Sequence, residues 1–282
     1  MSVGGFILSR NSPRIDRAVR SLAACCDQVL VVDTGSTDDT VERAAASGAE
    51  VKTVPWLGFG NARRQAVSAL GERGHDYALF IDSDEFITDD DSAKLRAFFR
   101  SGLWSAGHRL RLNEWVTTPR RRFLFRTGYR TRLFRVDAAR YEDWMLIHER
   151  PRVEGARPVS IAIEHDYLTE NASRSVKARR YALLWAIVHR QRSAKPEAVQ
   201  LVSHLVRNLL VKGALWRGGP DAVVPALVEA RYHAEKQRAL RQVQAGLHDE
   251  KVRAFEAGNW AEVIAAVEQS LEPGAPAAAL TR

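Results

Sequence analysis

Two apolar segments that end in acidic residues limit the folds open to this chain more than any other feature. The first is VLVVDTGSTDDT, residues 29–40, and the second is YALFIDSDE, residues 77–85. A short, continuous apolar run is typical of a strand that is covered on both faces of a parallel sheet. Ligands of such sheets bind beyond the carboxyl ends of the strands, where these acidic residues lie. The pair therefore predicts an α/β fold with a ligand site at one edge of the sheet.

The second segment contains the acidic triplet Asp82-Ser83-Asp84. Alternate residues of an extended chain point to the same side, so the two carboxylates are predicted to share one face. Carboxylate oxygens suit Mg²⁺ or Mn²⁺, whose remaining positions are filled by water and by substrate phosphate. The triplet therefore predicts a site for a divalent metal ion and a phosphorylated ligand.

The first segment predicts a tight connection from strand to helix. The turn Asp33-Thr34-Gly35 leads the chain out of the strand. Ser36 and Asp39 then have the spacing of a helix capping box. We expect the following helix to span Val41 to Ser47.

The flanking segments continue the alternation of strand and helix. Residues 6–8 predict a first strand, followed by the turn Ser9-Arg10-Asn11 and a helix that opens at Ser12-Pro13. Residues 50–54 predict another strand, and the segment WLGFGNARRQA, residues 56–66, leads into a further helix. Such alternation predicts parallel strands joined by right-handed crossovers. The side chains then expected to converge at the carboxyl edge are Ser9, Asp33, Arg63, Asp82 and Asp84.

Composition and missing motifs exclude several classes of protein. No G-x-G-x-x-G or G-x-x-x-x-G-K-[ST] loop is present, which argues against the common dinucleotide-binding and ATP-hydrolysing enzymes. The sequence has no apolar run of about 18 residues that could cross a membrane, and residues 1–6 lack the features of a signal peptide. The two cysteines, Cys25 and Cys26, are adjacent and fit a reducing compartment. A cytoplasmic protein is therefore expected.

The net charge of +8 has a local source in the arginine-rich segment from Pro119 to Arg135. Its alternating arginine and apolar residues predict two strands that turn near Thr127-Gly128 and present one basic face. This face suits a solvated surface, donor phosphates, an acidic acceptor or an anionic membrane surface, and the sequence leaves these alternatives open. Signatures of the RRM, KH and zinc-finger types are absent, so nucleic acid is not an expected partner.

Taken together, these motifs resemble the family 2 glycosyltransferases, which have the GT-A fold. The W-x-G-F-G segment is followed by a basic residue, Arg63, as in related enzymes. Further motifs follow in the order R-L-F-R at 132–135, His148-Glu149, and E-H-D-Y at 164–167. This succession is most similar to the bacterial lipopolysaccharide-core glucosyltransferase-like group. The resemblance implies an α/β domain of the GT-A type, Rossmann-like with a mostly parallel sheet, and a C-terminal α-helical extension.

The resemblance also implies an activity. It predicts an inverting, metal-dependent hexosyltransferase that moves a sugar from a nucleotide-sugar donor, foremost a UDP-hexose, to an acceptor hydroxyl; GDP and dTDP stay open. The acceptor is expected to be a glycan, a lipid-linked compound or a small molecule, as in cell-envelope or other glycoconjugate biosynthesis. A peripheral contact with the inner face of the membrane is compatible with such acceptors. Two alternatives remain: a catalytically inactive GT-A-like binding module, and a basic protein that binds RNA or a membrane surface.

The resemblance implies roles for individual residues. The predicted donor-binding residues are Ser9, Arg10, Asp33, Ser36, Arg63 and Asp82, and the predicted ligands of Mn²⁺ or Mg²⁺ are Asp84, Asp82 and His148. Glu149 is the first candidate for the base that deprotonates the acceptor, because it follows a strand-like apolar segment beside His148; Asp143 is the second. The usual Glu-Asp pair near a helix start is not evident, and Glu142-Asp143 matches it in letters only.

Three regions are predicted along the chain. Residues 1–105 form the nucleotide-sugar-binding half of the GT-A domain, residues 106–170 the acceptor-side half with the arginine-rich hairpin, and residues 171–282 the helical extension. Within the extension, helices are predicted over Ser173 to Arg192, Pro196 to Trp216, Ala222 to Val243, and from Asn259-Trp260 onward. The last ~10 residues, rich in Ala and Pro, are expected to be disordered.

Overall fold

A sheet of eight strands forms the centre of the protein in the computed structural model, which describes residues 1–102, 105–147, 149–167 and 171–270. The strands are β1 Val3–Ser9, β2 Gln28–Asp33, β3 Glu50–Thr53, β4 Tyr77–Asp82, β5 Glu85–Phe86, β6 Gly107–Thr117, β7 Arg122–Arg135 and β8 Arg157–Tyr167. Across the sheet they lie in the order β3-β2-β1-β4-β7-β6-β8-β5. Strands β1 to β4 are parallel to one another, whereas β7 and β5 run antiparallel to their neighbours.

Ten α-helices accompany the sheet within the described ranges. They are α1 Ile15–Ala23, α2 Thr40–Ala46, α3 Phe59–Glu72, α4 Asp89–Ser101, α5 Asn171–Val188, α6 Glu197–Val206, α7 Ala214–Gly218, α8 Val223–Gln244, α9 Asp249–Glu256 and α10 Trp260–Gln269. Helices α1, α2 and α4 contribute to the hydrophobic core on one face of the sheet, and α3 contributes to the core on the other face. Helices α5 to α10 form the C-terminal extension.

The central strands are apolar on both sides because both faces of the sheet are covered. In β1, Ile7 packs in the core that contains α1, while Phe6 and Leu8 pack in the core that contains α3. In β2, Val31 and Leu30 divide between the two cores in the same way. The continuous apolar runs therefore predict these strands correctly. The predicted α/β class with a C-terminal helical extension is confirmed.

The arginine-rich segment differs from its prediction. Strand β7 runs without interruption from Arg122 to Arg135 and passes through Thr127-Gly128, where the sequence pattern predicts a turn. The turn lies instead at residues 118–121, where the Thr118 hydroxyl accepts hydrogen bonds from two backbone amides. The prediction is wrong because the partner of β7 is β6, and their ladder continues across Gly128, which pairs with Leu112.

The C-terminal extension packs around a further core, to which Leu146 and Ile147 of the loop before Glu149 also contribute. Side chains from four helices meet there, among them Leu184 of α5, Leu240 of α8, Phe255 of α9 and Ile264 of α10. The boundaries predicted at residues 105 and 170 fall between α4 and β6 and between β8 and α5. The extension thus follows the last long strand of the sheet.

One part of the extension is broken where its periodicity predicts a continuous helix. The segment from Pro196 to Trp216 divides into α6, a π-helical turn at Arg207–Val211, and α7. Gly213 separates the last two with a φ of 69°, which glycine adopts without strain. None of the helices in the described part of the chain is long and apolar enough to cross a membrane. The tail for which the sequence predicts disorder, residues 273–282, lies outside the described residues.

Candidate functional site

The carboxyl ends of β1, β2 and β4 bring three of the predicted site residues side by side. Ser9 pairs with Asp33 across β1 and β2, and Leu8 pairs with Asp82 across β1 and β4. Ser9 is buried, and its Oγ has no hydrogen-bond partner among the described residues. Since a buried hydroxyl is normally hydrogen-bonded, this group is available to a ligand at the edge of the sheet.

The turns after β1 and β2 are hydrogen-bonded to each other. Asp33 accepts hydrogen bonds from the backbone amides of Gly35 and Ser36, both at 3.0 Å, and from the Ser36 hydroxyl. The Asn11 side-chain oxygen accepts a hydrogen bond from the backbone amide of Thr37 at 2.7 Å, and the backbone amide of Asn11 donates to Ser36 Oγ at 2.9 Å. Asn11 has a φ of 49°, a left-handed conformation that asparagine tolerates. The two turns are thus connected at the edge of the site, and we call them together the rim.

Ser36 does not cap a helix as the sequence predicts. Its hydroxyl interacts with Asp33 and with the amide of Asn11 instead. Helix α2 begins at Thr40, after Asp39, and has no side-chain cap. The capping-box prediction is wrong because the carboxylate at the strand end competes for the serine hydroxyl.

The C-terminal extension reaches the rim. Arg10, in the turn after β1, is about half exposed, and its Nη1 lies 3.6 Å from Glu268 Oε1 of α10. Phe59, at the start of α3, packs edge-to-face on Tyr181 of α5 with 6.0 Å between ring centroids. The helices of the extension therefore border the ligand edge of the sheet.

Arg63 lies at the centre of a buried charge network. Its side chain is 5% exposed. Its Nη2 donates to Asp82 Oδ1 at 2.7 Å, and its Nε donates to Glu149 Oε1. Its guanidinium carbon lies 4.2 Å from the centroid of the Phe80 ring. Helix α3 and strand β4 thus bring the arginine and the aspartate to one point.

A second arginine, Arg132 of β7, completes this network. Its Nη2 donates to Glu85 Oε1 at 2.6 Å and to Asp82 Oδ2 at 3.3 Å, and its guanidinium carbon lies 4.3 Å from the Phe80 centroid. Burial alone would raise the pKa of Asp82, but the charges of Arg132 and Arg63 outweigh it and hold that pKa well below its usual range. Asp82 is therefore a fixed anion with both oxygens engaged. Arg132 belongs to the R-L-F-R motif, but the sequence alone does not predict a role for this arginine.

Asp84 has a different partner. Strand β4 ends at Asp82 and residues 83–84 form a turn, so the prediction of a shared face, which assumes an extended chain, is wrong. Strand β5 then pairs with β8, with Glu85 opposite His165, and this brings His165 Nε2 to 3.3 Å from Asp84 Oδ2. The Asp84 side chain is 54% exposed. A carboxylate and an imidazole this close can hold a divalent ion whose other positions are taken by water and phosphate.

His148, the predicted third metal ligand, lies outside the described residues. Among the residues that are described, no three His, Cys, Asp or Glu side chains are grouped closely enough to hold a metal ion. His165 is the candidate ligand that sequence reasoning missed, because a single histidine at a strand end is more often structural. No local pattern identifies it, because only the pairing of β5 with β8 brings together residues 81 positions apart.

The W-x-G-F-G segment fixes the loop that carries Glu149. The Gly60 amide donates to the Met145 carbonyl at 3.0 Å. A Cβ atom at Gly60 would lie 2.1 Å from the carbonyl oxygen of Glu142, so glycine is required for this close approach. Because the loop is held against the first turn of α3, Glu149 can meet Arg63 on that helix.

The two candidates for the catalytic base lie in different settings. The Glu149 side chain is 7% exposed and lines a cleft of about 420 Å³ between its loop and the end of α5. Burial raises the pKa of Glu149, and the charge of Arg63 only partly offsets that rise. Asp143 instead accepts a hydrogen bond from Arg64 Nε at 2.6 Å, nearer the surface.

The other arginines of β7 contribute mainly to the structure. Arg122 donates to Asp166 at 2.8 Å. Arg126 donates to Glu114 of β6 and, at 3.1 Å, to Glu229 of α8. Much of the basic face predicted for this segment is therefore used in ion pairs within the protein.

Comparison with known proteins identifies the family. The family model described as "Glycosyl transferase family 2" matches residues 6–149. An uncharacterized glycosyltransferase of Rickettsia prowazekii is 38% identical over 100 residues, which are 35% of this chain and 33% of that protein. One from Rickettsia conorii is 37% identical over 100 residues, 35% of this chain and 34% of that protein. The chain spans about a third of the length of the curated relatives that it matches.

A solved structure of glucosyl-3-phosphoglycerate synthase from Mycobacterium tuberculosis in complex with Mg²⁺ and UDP has a TM-score of 0.32. It is 25% identical to this chain over 41% of this chain and 43% of that chain. The fold assignment rests on the sheet and on the family match, which extends from β1 to Glu149. The narrower resemblance to the lipopolysaccharide-core group stays a prediction. The chain belongs to glycosyl transferase family 2, and its α/β domain has the GT-A fold.

Proposed function

We propose that the protein transfers a hexose from a nucleotide-sugar donor to an acceptor hydroxyl, with a divalent metal ion and with inversion at the anomeric carbon. Membership of family 2 supports sugar transfer. The observation that carries the proposal is the pair of Asp84 and His165 at the ligand edge of the sheet, beside the arginine-bound Asp82.

The donor nucleotide is proposed to lie on the rim. The Ser9 hydroxyl is buried without a partner, so a hydrogen bond to the donor would satisfy it. Asp82 is ionised and 38% exposed, which suits a carboxylate that accepts a hydrogen bond from a ribose hydroxyl. Arg10 is exposed on the same rim and can approach a phosphate. UDP is the first nucleotide proposed, on the sequence resemblance.

The remaining predicted donor-binding residues are proposed to act indirectly. Asp33 and Ser36 use their polar atoms to hold the two turns of the rim together. Arg63 is buried between two carboxylates, so it would influence the donor through the position of Asp82 and not by direct contact. This differs from the direct contact that the sequence resemblance implies for Arg63.

Asp84 and His165 are proposed to hold Mn²⁺ or Mg²⁺. Burial would raise the pKa of Asp84, but its hydrogen bond with His165 and the positive charge of that ring when protonated lower it, so the carboxylate is ionised. The His165 ring would release that proton on binding the ion, because only a neutral imidazole is a metal ligand. When bound, a divalent ion would offset the charge that builds up on the diphosphate as it leaves. Both oxygens of Asp82 are bound to arginine, so we propose that Asp82 contacts the donor or the water shell of the ion instead of the ion itself.

Glu149 is proposed as the base. The acceptor oxygen would form a bond to the anomeric carbon while its proton moves to a Glu149 oxygen. The bond from the anomeric carbon to the diphosphate oxygen breaks, and its electron pair leaves with the diphosphate. The cleft that Glu149 lines offers space for the acceptor, which is proposed to be a glycan, a lipid-linked compound or a small molecule.

The two alternatives have less support. A catalytically inactive module would not need a buried carboxylate that lines a cleft, and Glu149, which does so and also pairs with Arg63, supports an active enzyme. An RNA-binding protein would need free arginines on the β7 face, and several of them are engaged in ion pairs.

A thermal-shift panel with UDP, GDP and dTDP, each with and without Mn²⁺, tests the proposal. We expect UDP to raise the Tm more when Mn²⁺ is present than when it is absent, and a UDP-hexose to be hydrolysed slowly to UDP in the presence of Mn²⁺. A metal-dependent shift that is accompanied neither by hydrolysis nor by transfer to any acceptor would favour the inactive module. The absence of a shift with all three nucleotides would refute the donor site.

A further inference from the structure

Helices α6 to α8 expose a broad band of apolar side chains. On α6 and the π-helical turn, exposed side chains recur at spacings of three or four residues, which places them on one face of the helix. The band continues onto α7 and the start of α8, where Val211 and Trp216 are 75% and 76% exposed. We call the following residues the apolar helical face: Val199, Val202, Val206, Leu210, Val211, Trp216, Val223 and Val224.

Among charged residues, the segment that carries most of this face has basic ones only, and the flanking Glu197 and Asp221 are paired with arginines. From Ala198 to Pro220 the chain carries Arg207, Lys212 and Arg217 and no Asp or Glu. Arg207 and Lys212 are exposed. A soluble helix normally covers its outer surface with charges of both signs, whereas this one is apolar with a basic border.

The exposed end of the β6–β7 turn extends the basic border. Arg217 Nη2 donates to the Phe125 carbonyl at 3.0 Å, and Gly218 packs directly on the Phe123 ring. Arg121 Nε lies 3.3 Å from Asp221 Oδ2. These contacts place the turn at residues 118–121, with its exposed arginines, next to α7 and Trp216.

We propose that the apolar helical face lies on an anionic lipid surface. Exposed valines along one side of a helix and a tryptophan on the next helix, bordered by arginine and lysine, are the features of segments that lie in the plane of a membrane interface. Tryptophan in particular favours the level of the lipid headgroups. The helix is too short and too interrupted to cross a bilayer, so the contact is peripheral.

The charge pattern favours lipid over a second copy of this chain. Two copies that met through this face would bring their basic borders together, and like charges facing each other weaken association. An anionic headgroup layer neutralises the same border. The proposal does not depend on the sugar-transfer activity, because the face lies outside the rim and the charge network described above.

Sedimentation of the whole protein with lipid vesicles tests this. Vesicles of phosphatidylcholine alone are compared with vesicles of equal parts phosphatidylcholine and phosphatidylglycerol. We expect binding to the anionic vesicles and weaker binding to the neutral ones, with release as the salt concentration rises. Arg207→Gln and Lys212→Gln should each lower the vesicle affinity about fivefold. The double variant Trp216→Ala, Val211→Ser should lower it about tenfold or more.

Leu247→Ser is the matched control. Leu247 is also an exposed apolar residue, but it is not part of the face, and it follows the C-terminal end of α8, roughly 30 Å along that helix from Val223 and Val224. Its variant should bind vesicles like the unmodified protein, and thermal unfolding should show that all variants remain folded.

Three results would overturn the proposal. The first is equal binding of the double variant and the Leu247→Ser control, and the second is no binding by the unmodified protein. The third is a concentration-dependent dimer in analytical ultracentrifugation that dissociates in the double variant, which would assign the face to a second copy. Mn²⁺-dependent UDP binding, measured in the same variants, should stay unchanged and so separates this proposal from the proposed function.

Discussion

Replacement of Arg63 by methionine would test the role of the buried charge network. Methionine keeps much of the aliphatic volume and removes the guanidinium that joins Asp82 to Glu149. Asp82 keeps its ion pair with Arg132 and is partly exposed, so it is only weakly affected. Glu149, at 7% exposure, loses its cationic partner and remains a buried carboxylate.

The expected loss of stability is large. Removal of one partner of a buried ion pair costs about 3 to 5 kcal/mol, because the remaining charge is left without compensation. The neighbouring pair supplies a matched control, since Arg64 binds Asp143 near the surface. Arg64→Met should cost roughly 0 to 1 kcal/mol, as exposed ion pairs do. Adjacent arginines in one helix are thus expected to differ several-fold in their effect.

Urea denaturation at neutral pH, followed by circular dichroism, measures the free energy of unfolding of each variant. The double variant Arg63→Met, Glu149→Gln should recover part of the loss, because the orphaned charge is gone. The reasoning is refuted if Arg63→Met costs no more than Arg64→Met, or if the double variant is no more stable than Arg63→Met alone.

Three further outcomes are expected. Gly60→Ala should destabilise by about 3 kcal/mol or more, since its Cβ would meet a carbonyl oxygen at 2.1 Å. Gly71→Ala in the same helix should cost less, because its Cβ would meet only one methyl group of Val136, at 3.0 Å; thermal unfolding compares the two variants. Burial lowers the pKa of His233 from its ordinary value of 6.5 to about 3, so between these pH values the unfolded protein binds a proton that the folded protein does not. Stability should therefore fall as the pH drops below 6.5, and His233→Phe should flatten that fall in urea titrations at several pH values. Once an acceptor is identified, Glu149→Gln should lower kcat at least about 100-fold without changing donor affinity, and Asp143→Asn should lower kcat only slightly. The reverse pattern in a steady-state assay would assign the role of base to Asp143.

The sequence predicts the part of the candidate site at the ends of β1, β2 and β4 because local patterns determine it. Apolar runs covered on both faces identify β1, β2 and β4, and parallel pairing then places the residues at their carboxyl ends in neighbouring positions. Ser9, Asp33 and Asp82 follow from this argument and are found side by side. The position of Arg63 follows from the helix that opens after Gly58.

The remaining features depend on contacts between distant parts of the chain. His165 reaches Asp84 only because β5 pairs with β8, and Arg132 reaches Asp82 only because β7 runs antiparallel beside β4. Neither pairing leaves a signal in the residues themselves. The turn predicted at Thr127-Gly128 fails for a related reason, since a glycine in a strand pattern does not show which strand lies opposite.

Isothermal calorimetry of UDP binding, with and without Mn²⁺, tests most directly whether Asp84 and His165 form a metal-dependent donor site. In the unmodified protein we expect Mn²⁺ to strengthen UDP binding. Asp84→Asn keeps the shape and removes the charge, so it should lower the Mn²⁺-dependent affinity about 10-fold to 100-fold. Asp143→Asn removes the same charge at a carboxylate bound to Arg64 and should leave the affinity unchanged. If Mn²⁺ strengthens UDP binding equally in Asp84→Asn and in the unmodified protein, the assignment of the metal site is wrong.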